Sequence, residues 1–161
     1  MNNFERVFLE SNSYEKNTGF YWYSDANNYL KGMSEHFNIP LEIVCGITAV
    51  VSPMLSWNGN VNLVYNLLKG KGKTKVKYSC YPLNLRKAFL IYQGKQVFPY
   101  LRGPKVEQFY LNLLYPFDDK GVTIDSFMIY CYTGKQDKGT LSRWNTKGKI
   151  KALKGKIRKF I

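Results

Sequence analysis

The sequence predicts an all-α fold, a compact bundle of about seven short helices. Apolar residues recur at helical spacing in one segment after another, and Gly, Pro, Asn or Ser separates these segments. Hydrophobic residues make up 45% of the chain and aromatic residues 16%, which argues against disorder. A chain of 161 residues suits one domain. We expect a helical domain over residues 1–134 and a basic helical tail over 135–161 packed on it.

The N-terminal part is predicted to hold two helices. The first covers residues 4–9, and the second covers residues 24–36 with Ser24 or Asp25 as its N-cap. Between them lies the aromatic run 20–23. Its rings either pack in the core or offer stacking surfaces for nucleic-acid bases.

The most apolar segment, residues 41–51, is predicted to be the buried central helix. Its side chains are apolar nearly all round, so no face is left for solvent. Because several of them are β-branched, a buried strand is the alternative. The segment ends at Ser52-Pro53, and a further helix is expected over about 60–69. Its predicted inward residues are Val61, Val64, Tyr65 and Leu68.

Three more helices are expected in the second half. Residues 82–93 form one that ends near Gly94. Another opens at Pro104, a residue suited to the first helical position, directly after Gly103. Its apolar face is formed by Val106, Phe109, Tyr110 and Leu113. A short helix over 125–132 precedes the tail.

The net charge of +13 is unevenly distributed. Lysines alternate along one polar loop, and Lys and Arg recur from residue 135 to the end. The loop lysines are Lys69, Lys71, Lys73, Lys75 and Lys77. Such clusters favour polyanions, with nucleic acid first and an anionic membrane surface second. The alternative is a solvated loop that serves solubility.

The cysteine and histidine content argues against a metal centre. The chain has three widely separated cysteines, no Cys-x-x-Cys pair, and His36 as its one histidine. Zinc and iron–sulfur sites need clustered ligands, so we expect no metal and no cofactor. Unpaired thiols suit a reducing compartment, and neither a signal peptide nor a membrane span is apparent. A soluble cytoplasmic protein is therefore expected.

Three short motifs occur in order over residues 40–132. They are Ile47-Thr48-Ala49-Val50-Val51-Ser52-Pro53, which leads through Trp57 into the next helix, then Leu101-Arg102-Gly103-Pro104-Lys105-Val106, and finally Val122-Thr123-Ile124-Asp125-Ser126. Together they resemble the helix-hairpin-helix DNA glycosylase superfamily. There they would correspond to a buried helix ending in an "LS" turn, to the hairpin, and to the "VDT" segment. The chain also resembles small phage-encoded proteins of this fold, which implies a bacterial or phage-infected host cell.

The resemblance implies a helix-hairpin-helix element whose backbone N–H groups hold a DNA phosphate. Aligned N–H dipoles at a helix start favour an anion without needing a charged side chain. Gly103 would let the phosphate approach the backbone closely, and Arg102 and Lys105 would add positive charge. The alternative is a plain helix-opening turn.

The resemblance assigns the catalytic carboxylate to Asp125. Base excision leaves a sugar with oxocarbenium character, and a nearby carboxylate stabilises that charge or orients water against it. The alternative is that Asp125 only caps a helix.

The resemblance also gives Lys105 a second role. Some family members carry a lysine beside the hairpin that attacks the sugar and forms a Schiff base. Lys105 matches that lysine if Gly103 aligns with the second hairpin glycine. If Gly103 aligns with the first, Glu107 takes the position and no nucleophile remains.

A glycosylase must also flip its target base out of the duplex. By segment order, the candidates for the base pocket or the wedge are Trp57, Asn58, Tyr21 and Trp22, with core packing as the alternative for the tyrosine. The sequence departs from the family at the hairpin, which lacks at least one of its usual glycines. It departs again at Phe127, where a polar residue or histidine is common.

We therefore hypothesise a DNA glycosylase-like protein that cleaves the N-glycosidic bond of a damaged or modified base in duplex DNA. The loop lysines and the tail would supply salt-sensitive affinity. The alternative is a non-catalytic DNA-binding module of the same fold, such as a phage accessory factor. A weaker alternative is a membrane-surface role for residues 146–161.

Overall fold

The computed structural model describes residues 3–118 and Thr123, and the regular elements in this part are helices, which confirms the predicted all-α class. They are α1 (Asn3–Glu10), α2 (Ser13–Phe37), α3 (Leu41–Val51), α4 (Trp57–Lys69), α5 (Pro82–Tyr92) and α6 (Pro104–Leu114), with a short 3-10 helix at Phe98–Tyr100. The chain divides into two compact units. The second unit is Tyr23–Gly121, and residues 3–22 and Thr123 are the described part of the first. The predicted helix at 125–132 and the tail at 135–161 lie outside the described residues.

Helix α2 begins at Ser13, so the prediction that it starts at residue 24 is wrong. Asn12 and Glu15 form a reciprocal capping box. The Asn12 side-chain oxygen accepts a hydrogen bond from the Glu15 N–H, and the Glu15 carboxylate accepts one from the Asn12 N–H, both at 2.9 Å. These bonds satisfy N–H groups at the helix start. The aromatic run 20–23 is therefore helical.

Helix α3 is the centre of the second unit, as predicted, and the strand alternative is wrong. Every residue from Val44 to Val51 is buried, and α3 packs against α4, α5 and α6. Thr48 is the polar side chain in this run, and its hydroxyl donates to the Val44 carbonyl at 2.7 Å. The wholly buried part of α3 thus keeps its hydroxyl satisfied within its own backbone.

Two buried asparagines tie neighbouring helices to this core. The Asn60 amide of α4 donates to the Thr48 carbonyl at 3.2 Å, and the Asn27 amide of α2 donates to the Leu113 carbonyl at 2.7 Å. Both side chains are almost wholly buried. A buried N–H group without an acceptor is costly, so these bonds favour the packing of α4 on α3 and of α2 on the end of α6. The side-chain oxygen of Asn60 is buried and accepts no hydrogen bond within the described residues.

Helix α4 begins at Trp57 rather than near residue 60. The Ser56 hydroxyl caps it by accepting a hydrogen bond from the Gly59 N–H at 3.3 Å. The prediction that Tyr65 faces inward is wrong, because its side chain is 40% exposed. Its ring lies 5.2 Å from that of Phe37, so it covers the edge of the core rather than filling it.

The buried thiol of Cys45 makes the fold sensitive to alkaline pH. Burial, and secondarily the charge of Glu42, raises the pKa of this thiol from its usual value near 9 to about 12. The folded protein therefore holds the thiol proton more tightly than the unfolded chain. The stability that this difference contributes is complete below pH 9, and it is lost as the pH rises towards 12.

We expect the free energy of unfolding to fall more steeply above about pH 9 in the natural protein than in the Cys45→Ala variant. Denaturant unfolding of both proteins at about pH 8 and about pH 10 measures the difference. Equal losses in the two proteins would contradict the assignment to Cys45. The Cys45→Ala comparison is needed because burial also raises the pKa of Tyr110, so the natural protein would lose some stability at alkaline pH even without the Cys45 thiol.

Candidate nucleic-acid interface

The lysine-rich loop is held against the second unit at both ends. We call residues 70–80 the basic strap. At its start, the Gly72 N–H donates to the Leu67 carbonyl at 2.7 Å, which turns the chain back after α4. Near its end, the Tyr78 hydroxyl lies 2.8 Å from the Asn66 amide of α4. The strap therefore follows the surface of α4 instead of extending freely into solvent.

The lysines of the strap point outward. Lys71, Lys73, Lys75 and Lys77 are all exposed, as is Lys69 at the end of α4. The Lys73 ammonium lies 5.2 Å from the centre of the Phe89 ring, a cation–π contact that holds this part of the strap on α5. The sequence prediction of a lysine cluster available to a polyanion is consistent with this arrangement.

The absence of acidic residues around the strap was missed by the sequence analysis. No Asp or Glu occurs between Glu42 and Glu107, whereas ten Lys or Arg do. They are Lys69, Lys71, Lys73, Lys75, Lys77, Arg86, Lys87, Lys95, Arg102 and Lys105. All but Lys87 are exposed, and none forms an ion pair within the described residues. Counting acidic and basic residues separately along the chain would have revealed this run without acids.

The turn before α6 has the backbone form that the sequence predicted. Gly103 adopts a φ of +98°, which favours glycine, and its carbonyl accepts the N–H groups of Val106 and Glu107. Arg102 and Lys105 on either side of it are exposed. Residues 93–103 connect α5 to α6 and include the 3-10 helix. The helix-hairpin-helix identity of this connection stays a prediction.

The other predicted site residues lie in different parts of the molecule. Trp57 and Asn58 open α4 in the second unit, where the Trp57 ring lies 6.5 Å from the Tyr29 ring and Asn58 is exposed. Tyr21 and Trp22 belong to the first unit. Asp125, the predicted catalytic acid, lies outside the described residues. The roles proposed for all five residues stay predictions.

A groove that none of the predicted site residues lines runs between α2 and the turn after α6. Its volume is ≈ 640 Å³. Polar groups come from Ser24, Asn28 and Lys31 on α2, and the exposed rings of Tyr115 and Phe117 lie opposite. An amide, a cation and two rings could hold a planar polar molecule. The sequence did not indicate this groove because its walls are far apart along the chain.

Within residues 3–118 and Thr123, no group of three or more His, Cys, Asp or Glu side chains could hold a metal ion. None of the described helices is both long and apolar enough to cross a bilayer. Cys45 and Cys80 are free thiols, the first buried and the second half-buried.

The chain belongs to a family of unknown function, DUF7178, whose model matches residues 1–154. No curated protein and no solved structure matches the sequence. Membership of this family therefore assigns no activity to the chain.

Proposed function

We propose that this chain binds duplex DNA through the basic strap and the turn before α6. The observation that carries the proposal is the run from Ile43 to Val106, which contains ten basic residues and no acid. Cations that form no ion pair within the described residues remain available to an external anion. Phosphate contacts by such residues supply most of the sequence-independent affinity in protein–DNA complexes.

The turn before α6 supports the same proposal by a different route. The N-terminus of a helix carries a partial positive charge, and here Arg102 and Lys105 add two exposed side-chain charges beside it. Gly103 leaves room for a phosphate to approach the backbone. The strap and this turn would thus contact separate phosphates of one duplex.

We further propose that the bound DNA is a substrate for base excision. This step rests on the resemblance of three segments to the helix-hairpin-helix glycosylases, with Asp125 as the carboxylate that stabilises the oxocarbenium-like sugar. Lys105 would hold phosphate, or would attack the sugar as an amine if the enzyme also cleaves the strand. In either case the N-glycosidic bond breaks and the base leaves with the bonding electrons and takes up a proton. The sugar C1′ forms its new bond to the oxygen of a water molecule, which loses a proton, or to the Lys105 amine.

Asp125→Asn is expected to abolish base release and to leave DNA binding nearly unchanged, because it removes one charge without changing the size of the side chain. The natural protein, in excess, is incubated with duplexes that carry damaged or hypermodified bases, and abasic sites are measured. Asp119→Asn is the matched control, since the resemblance gives that acid no role.

Base release that persists in Asp125→Asn would show that another group is the catalytic acid. If the protein binds duplex DNA but releases no base from any duplex, it is a non-catalytic DNA-binding module. Trapping of a covalent adduct by borohydride, absent in Lys105→Gln, would identify the Schiff-base route.

A further inference from the structure

The exposed face of α4 carries amides where surface helices usually carry charges. Four residues lie on this face at positions i, i+4, i+7 and i+11, within a narrow arc of the helix. They are Asn58, Asn62, Tyr65 and Lys69, and all four are exposed. We call them the α4 stripe. Its length is about 16 Å at 1.5 Å per residue.

Asparagine is a weak helix former, so its repeated use in α4 needs an explanation. For two of the four asparagines in α4, the explanation is a hydrogen bond that supports the fold. Asn60 binds the Thr48 carbonyl, and Asn66 binds the Tyr78 hydroxyl of the basic strap. The amides of Asn58 and Asn62 make no hydrogen bond within the described part of the chain. They contribute nothing visible to stability, yet they lie one turn apart on the same face.

Positive charge borders the stripe at its end and along its side. Lys69 is the last residue of the stripe itself. The Tyr78 hydroxyl lies 3.4 Å from the Asn62 carbonyl, which brings the strap alongside α4, and the exposed Lys77 immediately precedes Tyr78. The Tyr65 ring of the stripe stacks on the His36 ring, with ring centres 6.4 Å apart. Free amides are thus bordered by cations, and no acid is present on α4 or on the strap.

We infer that α4 lies in the major groove of DNA, where Asn58 and Asn62 bind the edges of adenine bases. This inference rests on the proposed DNA binding. The major groove is about 12 Å wide and admits one α-helix, and an asparagine amide pairs with adenine through one donor and one acceptor. Lys69 and the strap lysines then contact the phosphates that flank the groove. The amides select the sequence, and the cations supply the affinity.

The inference is tested by selecting duplexes from a randomised pool with the full-length protein, then measuring affinity for a selected and a scrambled duplex. We expect the selected duplexes to share adenines and to bind at least about tenfold more tightly than the scrambled one. Asn62→Ala should remove about a tenfold preference, with unchanged affinity for the scrambled duplex and an unchanged dependence on salt. Because alanine is the better helix former, this variant should fold.

Two matched variants separate the possible outcomes. Asn17→Ala removes an exposed amide from α2, outside the stripe, and should leave the preference intact. Lys75→Gln should weaken binding to both duplexes alike and lower the salt slope by about 0.9. Binding without any sequence preference, or a preference that survives both Asn58→Ala and Asn62→Ala, overturns the inference and leaves the proposed DNA binding in place. No binding to any duplex overturns the proposed function itself.

Discussion

Replacing Lys71, Lys75 and Lys77 with glutamine is expected to make DNA affinity much less dependent on salt, because it removes most of the phosphate contacts proposed for the basic strap. Each phosphate contact by a lysine contributes about 0.9 to the slope of log affinity against log salt, so the three together contribute about 2.7. Between about 50 and 200 mM salt, the natural protein should then lose roughly 40-fold more affinity than the variant. Fluorescence anisotropy with a labelled duplex over this range measures both slopes.

The control variant also loses three positive charges, but from the N-terminal part of the sequence. Arg6, Lys16 and Lys31 precede the acid-free run, where acids are interspersed among the basic residues. Their replacement by glutamine lowers the net charge equally and should change the slope little. Lys73 is left unchanged in the strap variant, because its contact with Phe89 holds the strap on α5. The control loses the exposed Arg6–Glu10 pair and the contact of Lys16 with the Phe8 ring, so circular dichroism of both triple variants checks that each keeps its helical fold. Equal slopes in the two triple variants would mean that binding follows net charge rather than the strap.

Gly70→Ala is expected to lower the free energy of unfolding by about 2 kcal/mol. Gly70 caps α4 where the basic strap begins, and a β-carbon there would overlap the backbone carbonyl oxygen of Lys73. Backbone atoms cannot rotate aside as a side chain can. The turn would have to open, with strain on the hydrogen bond between the Gly72 N–H and the Leu67 carbonyl. Urea unfolding measures the loss.

The same substitution at Gly32 is the matched control, and we expect the opposite sign. Gly32 lies inside α2, is exposed, and has no atom within 4 Å of an added β-carbon. Alanine at an unobstructed helical position should stabilise the protein by about 0.5–1 kcal/mol. A Gly70→Ala protein as stable as Gly32→Ala would contradict the tight turn described at the start of the strap.

Helices with strong local signals could be predicted from the sequence. α3 was recognised because its apolar run is bounded by Pro40 and Pro53, and α6 because Pro104 follows a glycine. The starts of α2 and α4 were missed for a different reason. Their caps at Asn12 and Ser56 precede residues that are polar or aromatic rather than periodic, so hydrophobic spacing gave no signal there.

The positive charge of the candidate site could be predicted from the sequence, but the contacts that hold the basic strap on α4 could not. The exposure of the strap lysines followed from composition alone. The position of the strap on α4 depends on the hydrogen bond between Tyr78 and Asn66, twelve residues apart, which no local pattern indicates. Tyr65 shows the same limit: helical spacing placed it inward, but its contacts with Phe37 and His36 hold it at the surface.

The run without acids has a consequence for the folded protein in the absence of its ligand. Like charges gathered on a compact unit repel one another, and unfolding relieves that self-repulsion by letting the chain expand. Salt that weakens the proposed DNA binding should therefore strengthen the fold, since screening reduces both the attraction to phosphate and the self-repulsion. A polyanion bound along the run from Ile43 to Val106 would supply the negative charge that this run lacks, and would stabilise the native state by mass action.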